Sequence, residues 1–354
     1  MKRVVVFIAA LALLGACGSS GSSKSSEPGQ PAEKIETVNL LTHSSFAASK
    51  EVLAEFTKQT GYKVKLVQPG DAGLMVNQAI LRKDNPIGDL MYGVDNTFLT
   101  RALDADIFEP YTAKVATPED LQVDDTHRVT PIDTGHVCVV YDKSYFGKDG
   151  RPAPPASMDD LVKPEYKNLT VVEDAATSSP GLAFLLTTID AYGDNGWPAY
   201  WQSMRENGVR VVDDWTAAYQ TDFTAGGGDG DRPIVVSYGS GPAADIYYSE
   251  PKRTTPNVAV IEDSCFRQTE FAGVLKNAKN TPGAQALLEF LLSKQFQEDI
   301  PSQMLVSPVV EGAALPDWYE KYTVEPADPH VVPPADIDEH RDEWVKEWTD
   351  IAVR

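Results

Sequence analysis

The sequence predicts an α/β protein of two lobes joined by a double crossover. Three observations lead there. Beyond residue 36, short apolar or alternating strands are followed by amphipathic helices, the pattern of a largely parallel sheet covered on both faces. About 320 of the 354 residues follow a leader and its linker, more than one compact core usually accommodates. Two buried-type strands, at 135–141 and near 266–273, lie where the chain would pass into a second lobe and return. Two crossings make a hinge, which a single covalent linker would not.

The elements follow in order. Residues 36–42 read as a first strand. Ser49 caps the next helix, Val52, Leu53 and Phe56 form its inner stripe, and Gly61 stands where a left-handed C-terminal cap is usual. Residues 62–66 alternate polar and apolar as a strand does, the turn 69–73 leads to a helix over about 74–82, and a third strand ends at Asp95. The polar segment 131–134 reads as a turn ahead of the first crossing. In the second lobe, strands are expected at 169–172 and 234–238, with a helix from Gly181 that has Ser179 as its cap and Pro180 at its first position. The expected divisions are a leader at 1–16, a flexible linker at 17–35, a first lobe at 36–133, a second at 134–268, and a return to the first at 269–354.

The first residues direct the chain out of the cytoplasm. Lys2 and Arg3 precede a short apolar run that closes on Leu14-Gly15-Ala16-Cys17. This looks like a lipoprotein signal, with lipid attached to Cys17 and everything before it removed; an ordinary secretory signal with a cysteine beside the cut is the alternative. The Ser-, Gly- and Pro-rich stretch from Gly18 to about Ala32 suits a tether. Loss of Lys2 and Arg3 takes the formal charge from -21 to about -23, which disfavours nucleic acid as a partner and favours solubility or a cationic ligand. Cys138 and Cys265 would then remain in an oxidising compartment, either paired or as two buried thiols.

In parallel sheets ligands bind at the carboxyl ends of the strands, which directs attention to His43 and Ser44, to Asp71, and to Asp95 with Asn96. Each has a local role available, as a helix cap or a turn residue; together they mark one sheet edge. Ser178 and Ser179 open an apolar helix, whose unpaired N–H groups suit an anionic or hydroxyl group. Trp215, Tyr219 and Tyr238 are candidates for aromatic faces that stack on a planar or cationic ligand, with core packing as the competing role. Catalytic motifs are wanting. Gly239-Ser240-Gly241 lacks the flanking glycines of a nucleophile elbow, Gly226-Gly227-Gly228-Asp229-Gly230-Asp231 opens no helix and reads as a surface loop, and the five histidines show no zinc spacing. Neither an enzyme nor a cofactor is expected.

Thr42-His43-Ser44-Ser45-Phe46-Ala47, Gly93-Val94-Asp95-Asn96, Thr177-Ser178-Ser179-Pro180-Gly181-Leu182, Asp214-Trp215 and Ser237-Tyr238 occur in this order. With them, the chain from about Val38 to the C terminus resembles the substrate-binding proteins of thiamine ABC transporters, within a wider group that includes ferric-ion-binding proteins. The resemblance implies a type II periplasmic-binding-protein-like fold, a monomer outside the cytoplasm, and delivery of thiamine or a thiamine phosphate to a membrane permease. On that reading Asp71 accepts hydrogens from the aminopyrimidine, Trp215 and Tyr238 supply ring faces, and Ser178 and Ser179 hold the hydroxyethyl or phosphate end. The chain departs from the family pattern at His43, Ala244 and Leu305, where aromatic residues are expected. A second reading takes Tyr247 and Tyr248, with His43, as ligands of ferric ion, for which phenolate oxygen is suited. A third, an exported hydrolase on the same scaffold, has little motif support.

Overall fold

Local signals place the first elements of the computed structural model, which describes residues 36–354; the expected leader, the acylation site Cys17 and the linker lie outside the described residues. Strand β1 (Thr37–Thr42) runs to the loop that holds His43, and helix α1 (Lys50–Thr60) begins where Ser49 Oγ accepts the Val52 N–H at 3.2 Å. Gly61, at φ 75°, ends α1 in the left-handed conformation. Strand β2 (Lys63–Val67) pairs parallel with β1, and Asp71 caps α2 (Ala72–Leu81) by accepting the Ala72 N–H at 2.8 Å. Strand β3 (Leu90–Asp95) and the short helix α3 (Leu99–Asp104) complete this unit.

Strand β4 (Thr130–Asp142) carries the chain across to β5 (Thr170–Glu173), α4 (Ser179–Tyr192), α5 (Trp197–Glu206), β6 (Arg210–Val212), a π-helix at Thr216–Asp222, β7 (Ile234–Tyr238) and α6 (Gly241–Tyr248). Strand β8 (Val258–Val274) returns it. It leads to α7 (Thr281–Leu291), α8 (Lys294–Gln303), the two-residue β9 (Ser307–Pro308), α9 (Asp317–Tyr322) and α10 (Pro334–Ala352).

The strand order is β2-β1-β3-β8-β4-β7-β5-β6, with β9 beside β4. The strands at each end pair in parallel, whereas β3, β8, β4 and β7 pair antiparallel through the centre. Both central strands, 13 and 17 residues long, run through the two halves, and this is the double crossover of a two-lobed type II fold. One apolar layer packs α1, α7 and α8 on β1 and β3 through Phe56, Leu287 and Phe296. The opposite layer joins Met75 and Val76 of α2 to Leu182, Leu185 and Trp201 beyond the crossover. Helix α10 is part of that second layer: Trp348 meets Trp201 edge-on at 5.4 Å, and Arg341 lies over the Phe98 ring at 5.5 Å.

Two local expectations are corrected. Residues 131–134 are not a turn but part of β4, with a register shift between Pro131 and Asp133; Pro131 lacks the N–H a regular ladder needs, and Asp133 is held in place by the Tyr92 hydroxyl. The cap of α4 is Ser178 rather than Ser179, so Pro180 lies one position deeper than expected, and neither serine makes a side-chain cap bond.

Cys138 of β4 and Cys265 of β8 are bonded, closing a loop with a sequence separation of 127. The bond cross-links the two strands that carry the chain between lobes. Chain-entropy arguments assign about 5 kcal/mol to a loop of this length. Replacing both cysteines by alanine is expected to lower unfolding free energy by about 2–5 kcal/mol in denaturant titrations. Without reduction, the native protein should yield neither thiol to alkylation.

Candidate ligand-binding cleft

The carboxyl ends of the strands open into a cleft of about 880 Å³. His43 and Ser44 enter it from the loop after β1, Asp71 from the start of α2, Ser179 from α4, and Trp215, Tyr219 and Tyr238 from the far side. Contacts already cross between these groups. The Asp71 carboxylate accepts the Trp215 N–H at 3.4 Å, and the Gly73 N–H donates to Thr177 O at 3.0 Å. Trp215 Nε1 donates to Ser237 Oγ at 3.0 Å, which orients the indole. Tyr219 stacks on it at 5.1 Å with planes 13° apart, and Tyr238 stands edge-on at 6.3 Å. Tyr219 thus covers one face of the indole.

Asp95 and Ser178 are placed differently from the other expected residues. Both are fully buried behind the cleft wall, Asp95 accepting from Gln268 Nε2 at 2.8 Å and Thr97 Oγ1 at 2.7 Å. Ser178 Oγ and Ser179 Oγ make no hydrogen bond, although each is near enough to a carboxylate, Asp71 and Asp95 respectively, to favour its ionised form. Ala244 and Leu305 both line the cleft, with Leu305 at φ 60°, a strained conformation for a branched side chain.

The two adjacent tyrosines meet different neighbours. Tyr247 stacks on Trp318 at 4.4 Å with planes 20° apart, while Tyr248 alone lines the cleft, 62% exposed. Adjacent positions on a helix point about 100° apart, and here α9 captures one of the two rings. The two rings remain neighbours, with centroids 4.9 Å apart and planes at 70°.

Sequence reading missed three features. Glu270, from the C-terminal half of β8, lines the floor and is 7% exposed; its only signal was an acid beside the apolar run 271–274. Arg253 is the one Lys or Arg among the residues lining the cleft, held by Asp245 through Nη1 at 2.7 and 3.0 Å. Gly226, Gly227 and Gly228, expected in a surface loop, also line it. Their lack of side chains has a reason: a Cβ on Gly226 would sit 1.6 Å from Tyr219 O, and one on Gly228 2.4 Å from Gln220 O. Only glycine lets this loop close over the π-helix carbonyls.

The floor concentrates acid. Glu270 lies 3.6 Å from His43 Nε2, an ion-pair distance too long for a hydrogen bond. Asp133, wholly buried beside it, accepts from the Tyr92 hydroxyl. Gly93 makes room for the histidine, since a Cβ there would meet His43 Cδ2 at 2.2 Å. Burial alone would lower the imidazole, but Glu270, with Asp71 and Asp95, outweighs it and raises its pKa. Burial raises Asp71 against the opposing pull of His43, pushes Asp95 up to about 6, and with Glu270 holds Asp133 well above the usual carboxylate range. Each of these groups binds its proton more tightly folded than unfolded, so the native state takes up protons as pH falls and stability is lost as pH rises. For Asp95 alone the shift corresponds to roughly 3 kcal/mol at neutral pH. The melting temperature of the ligand-free protein is therefore expected to rise as pH is lowered from about 7.5 to about 5.5, and Asp95→Asn to flatten that rise, as calorimetry would show.

Known proteins share this architecture. The family model described as "Bacterial extracellular solute-binding protein" matches residues 85–328. The thiamine-binding periplasmic protein of Escherichia coli (strain K12) is 30% identical over 317 residues, covering 88% of this chain and 92% of that one. A solved periplasmic thiamin binding protein superposes with a TM-score of 0.78 at 28% identity, covering 92% of this chain and 99% of that one. The ferric binding protein from Campylobacter jejuni shares the fold at a TM-score of 0.71 and 20% identity, over 90% of this chain and 100% of its own. Matching sequence, topology and cleft place the chain in one group: it belongs to the bacterial extracellular solute-binding proteins.

Proposed function

We propose that this protein binds thiamine or a thiamine phosphate between its lobes and delivers it to an ABC transporter permease. The convergence of Asp71, Trp215 and Tyr238 on one acidic cleft carries the reading. Thiamine is a cation with a flat aminopyrimidine. A carboxylate accepts the amino hydrogens, and an indole face stacks on the ring system. Glu270 adds negative charge beneath, and the similarity to thiamine-binding periplasmic proteins points to the same ligand. Ser179, at the start of α4, meets the hydroxyethyl or phosphate end, with Ser178 behind it.

In this reading the lobes comprise 36–133 with 269–354, and 134–268, and they close on the ligand because binding free energy offsets the cost of closure. The chain acts as a monomer, anchored outside the cytoplasm by lipid on Cys17. It catalyses no reaction; thiamine phosphates should be recovered unchanged after incubation with it. His43, Ala244 and Leu305 shape the cleft differently from an all-aromatic cage, so the pose leans more on Asp71 and Trp215.

Calorimetric titration tests the site. Asp71→Asn keeps a helix cap while removing the charge, and is expected to weaken thiamine binding about ten-fold or more. Trp215→Ala should do the same through loss of the stacking face, with Trp215→Phe intermediate. Affinity should also fall as pH is lowered from about 7.5 to about 5.5, because the raised carboxyls then hold protons in place of the cation. Unchanged affinity in both Asp71→Asn and Trp215→Ala would exclude this site.

A further inference from the structure

One face of this acidic molecule has the opposite character. Between Gly61 and Pro86 the exposed ionisable groups are Lys63, Lys65, Arg82 and Lys83 against Asp84 alone, since Asp71 is buried in the cleft wall. None of the four cations takes part in an ion pair among the described residues. The same stretch supplies Leu66, Leu74 and Leu81, at 38%, 40% and 78% exposure, from the eight large apolar side chains that stand exposed among the described residues.

The geometry gathers most of these onto one surface. Strand β2 is the edge of the sheet, paired only with β1. Its Val67 packs into the layer that holds Met75 and Val76 of α2, so alternation turns Lys63 and Lys65 to that same side. Leu74 and Leu81, seven positions apart, share the outer face of α2, with Arg82 and Lys83 following directly. Cations beside apolar side chains are the composition of a surface that rests on anionic lipid headgroups.

The N-terminal segment enters at this place. Lys63 N–H donates to Glu36 O at 2.8 Å, and Thr37 is the register partner of Lys63. Nineteen residues, 17–35, separate the proposed lipid on Cys17 from Glu36, where the chain reaches this face. The formal charge of the chain, -21, repels its other faces from an anionic surface. We infer that the β2–α2 face, with Lys63, Lys65, Leu74, Leu81, Arg82 and Lys83, docks on the anionic surface of the membrane to which the chain is tethered. The inference rests on the proposed acylation for its proximity argument. Its chemistry does not, so the two are tested separately.

Residues 17–354 with Cys17→Ser remove the acyl group and keep the compact unit, which excludes the leader. Cosedimentation with phosphatidylglycerol–phosphatidylcholine vesicles at low salt should exceed that with pure phosphatidylcholine, and should collapse as salt is raised. The combined Lys65→Glu, Arg82→Glu and Lys83→Glu variant should bind the anionic vesicles at least about ten-fold more weakly, with thiamine affinity unchanged. In the same background Leu81→Cys is the one free thiol, and a polarity-sensitive dye on it should shift to the blue only with anionic vesicles. Equal binding to both vesicle types, or an unaffected triple variant, would overturn the inference and leave this face to an acidic protein. Whether the native chain carries lipid on Cys17 is read independently from its intact mass.

Discussion

The antiparallel pairing of β4 with β8 is the constraint on which the rest of the structure depends. It sets Asp133 opposite Glu270 and Cys138 near Cys265, and its register shifts bend the strands where they pass between lobes. A parallel pair could not cross the molecule twice within one sheet. Because both strands belong to both lobes, any relative movement of the lobes bends this ribbon, and the disulfide keeps its strands from separating as they bend. The acids at the cleft floor are thus carried by the element that would flex.

That placement has a thermodynamic consequence. Three acids and a histidine, Asp95, Asp133, Glu270 and His43, are buried within one small region, and carboxylates resist burial unless paired. The fold supplies partial compensation through the Tyr92 hydroxyl, Gln268 and Thr97, and the remainder appears as raised pKa values. A bound cation would supply the missing positive charge. The ligand-free state is therefore held below its attainable stability in this region.

Much of the architecture was legible because it follows from local chemistry. Ser49 and Gly61 bracket α1 and the alternation at 62–66 marks a strand, each through interactions within a few residues, whereas Asp71, read as a turn residue ahead of a helix from about 74, caps a helix that begins at Ala72. The errors were those local rules make when long-range contacts intervene. Residues 131–134 have turn composition, yet β8 and Tyr92 draw them into a strand. The glycine run at 226–228 forms the expected exposed loop; what its composition does not show is the close approach to the π-helix that sets it against the cleft. Likewise, Trp318, some seventy positions away, decides what the Tyr247 ring stacks on, which no local signal shows.

By itself the sequence determined the alternation of strands and helices, the acidity, the excess of residues over a single core, and which residues lie at strand ends, since each depends on neighbours along the chain. Tertiary structure decided which of those ends meet. It brought Asp71 against Trp215, turned Asp95 and Ser178 behind the wall, and raised Glu270 to the floor, because these outcomes depend on the pairing register of β4 with β8 and on helices packed across it. No short-range signal encodes such a register. It is set by the summed burial of both lobes.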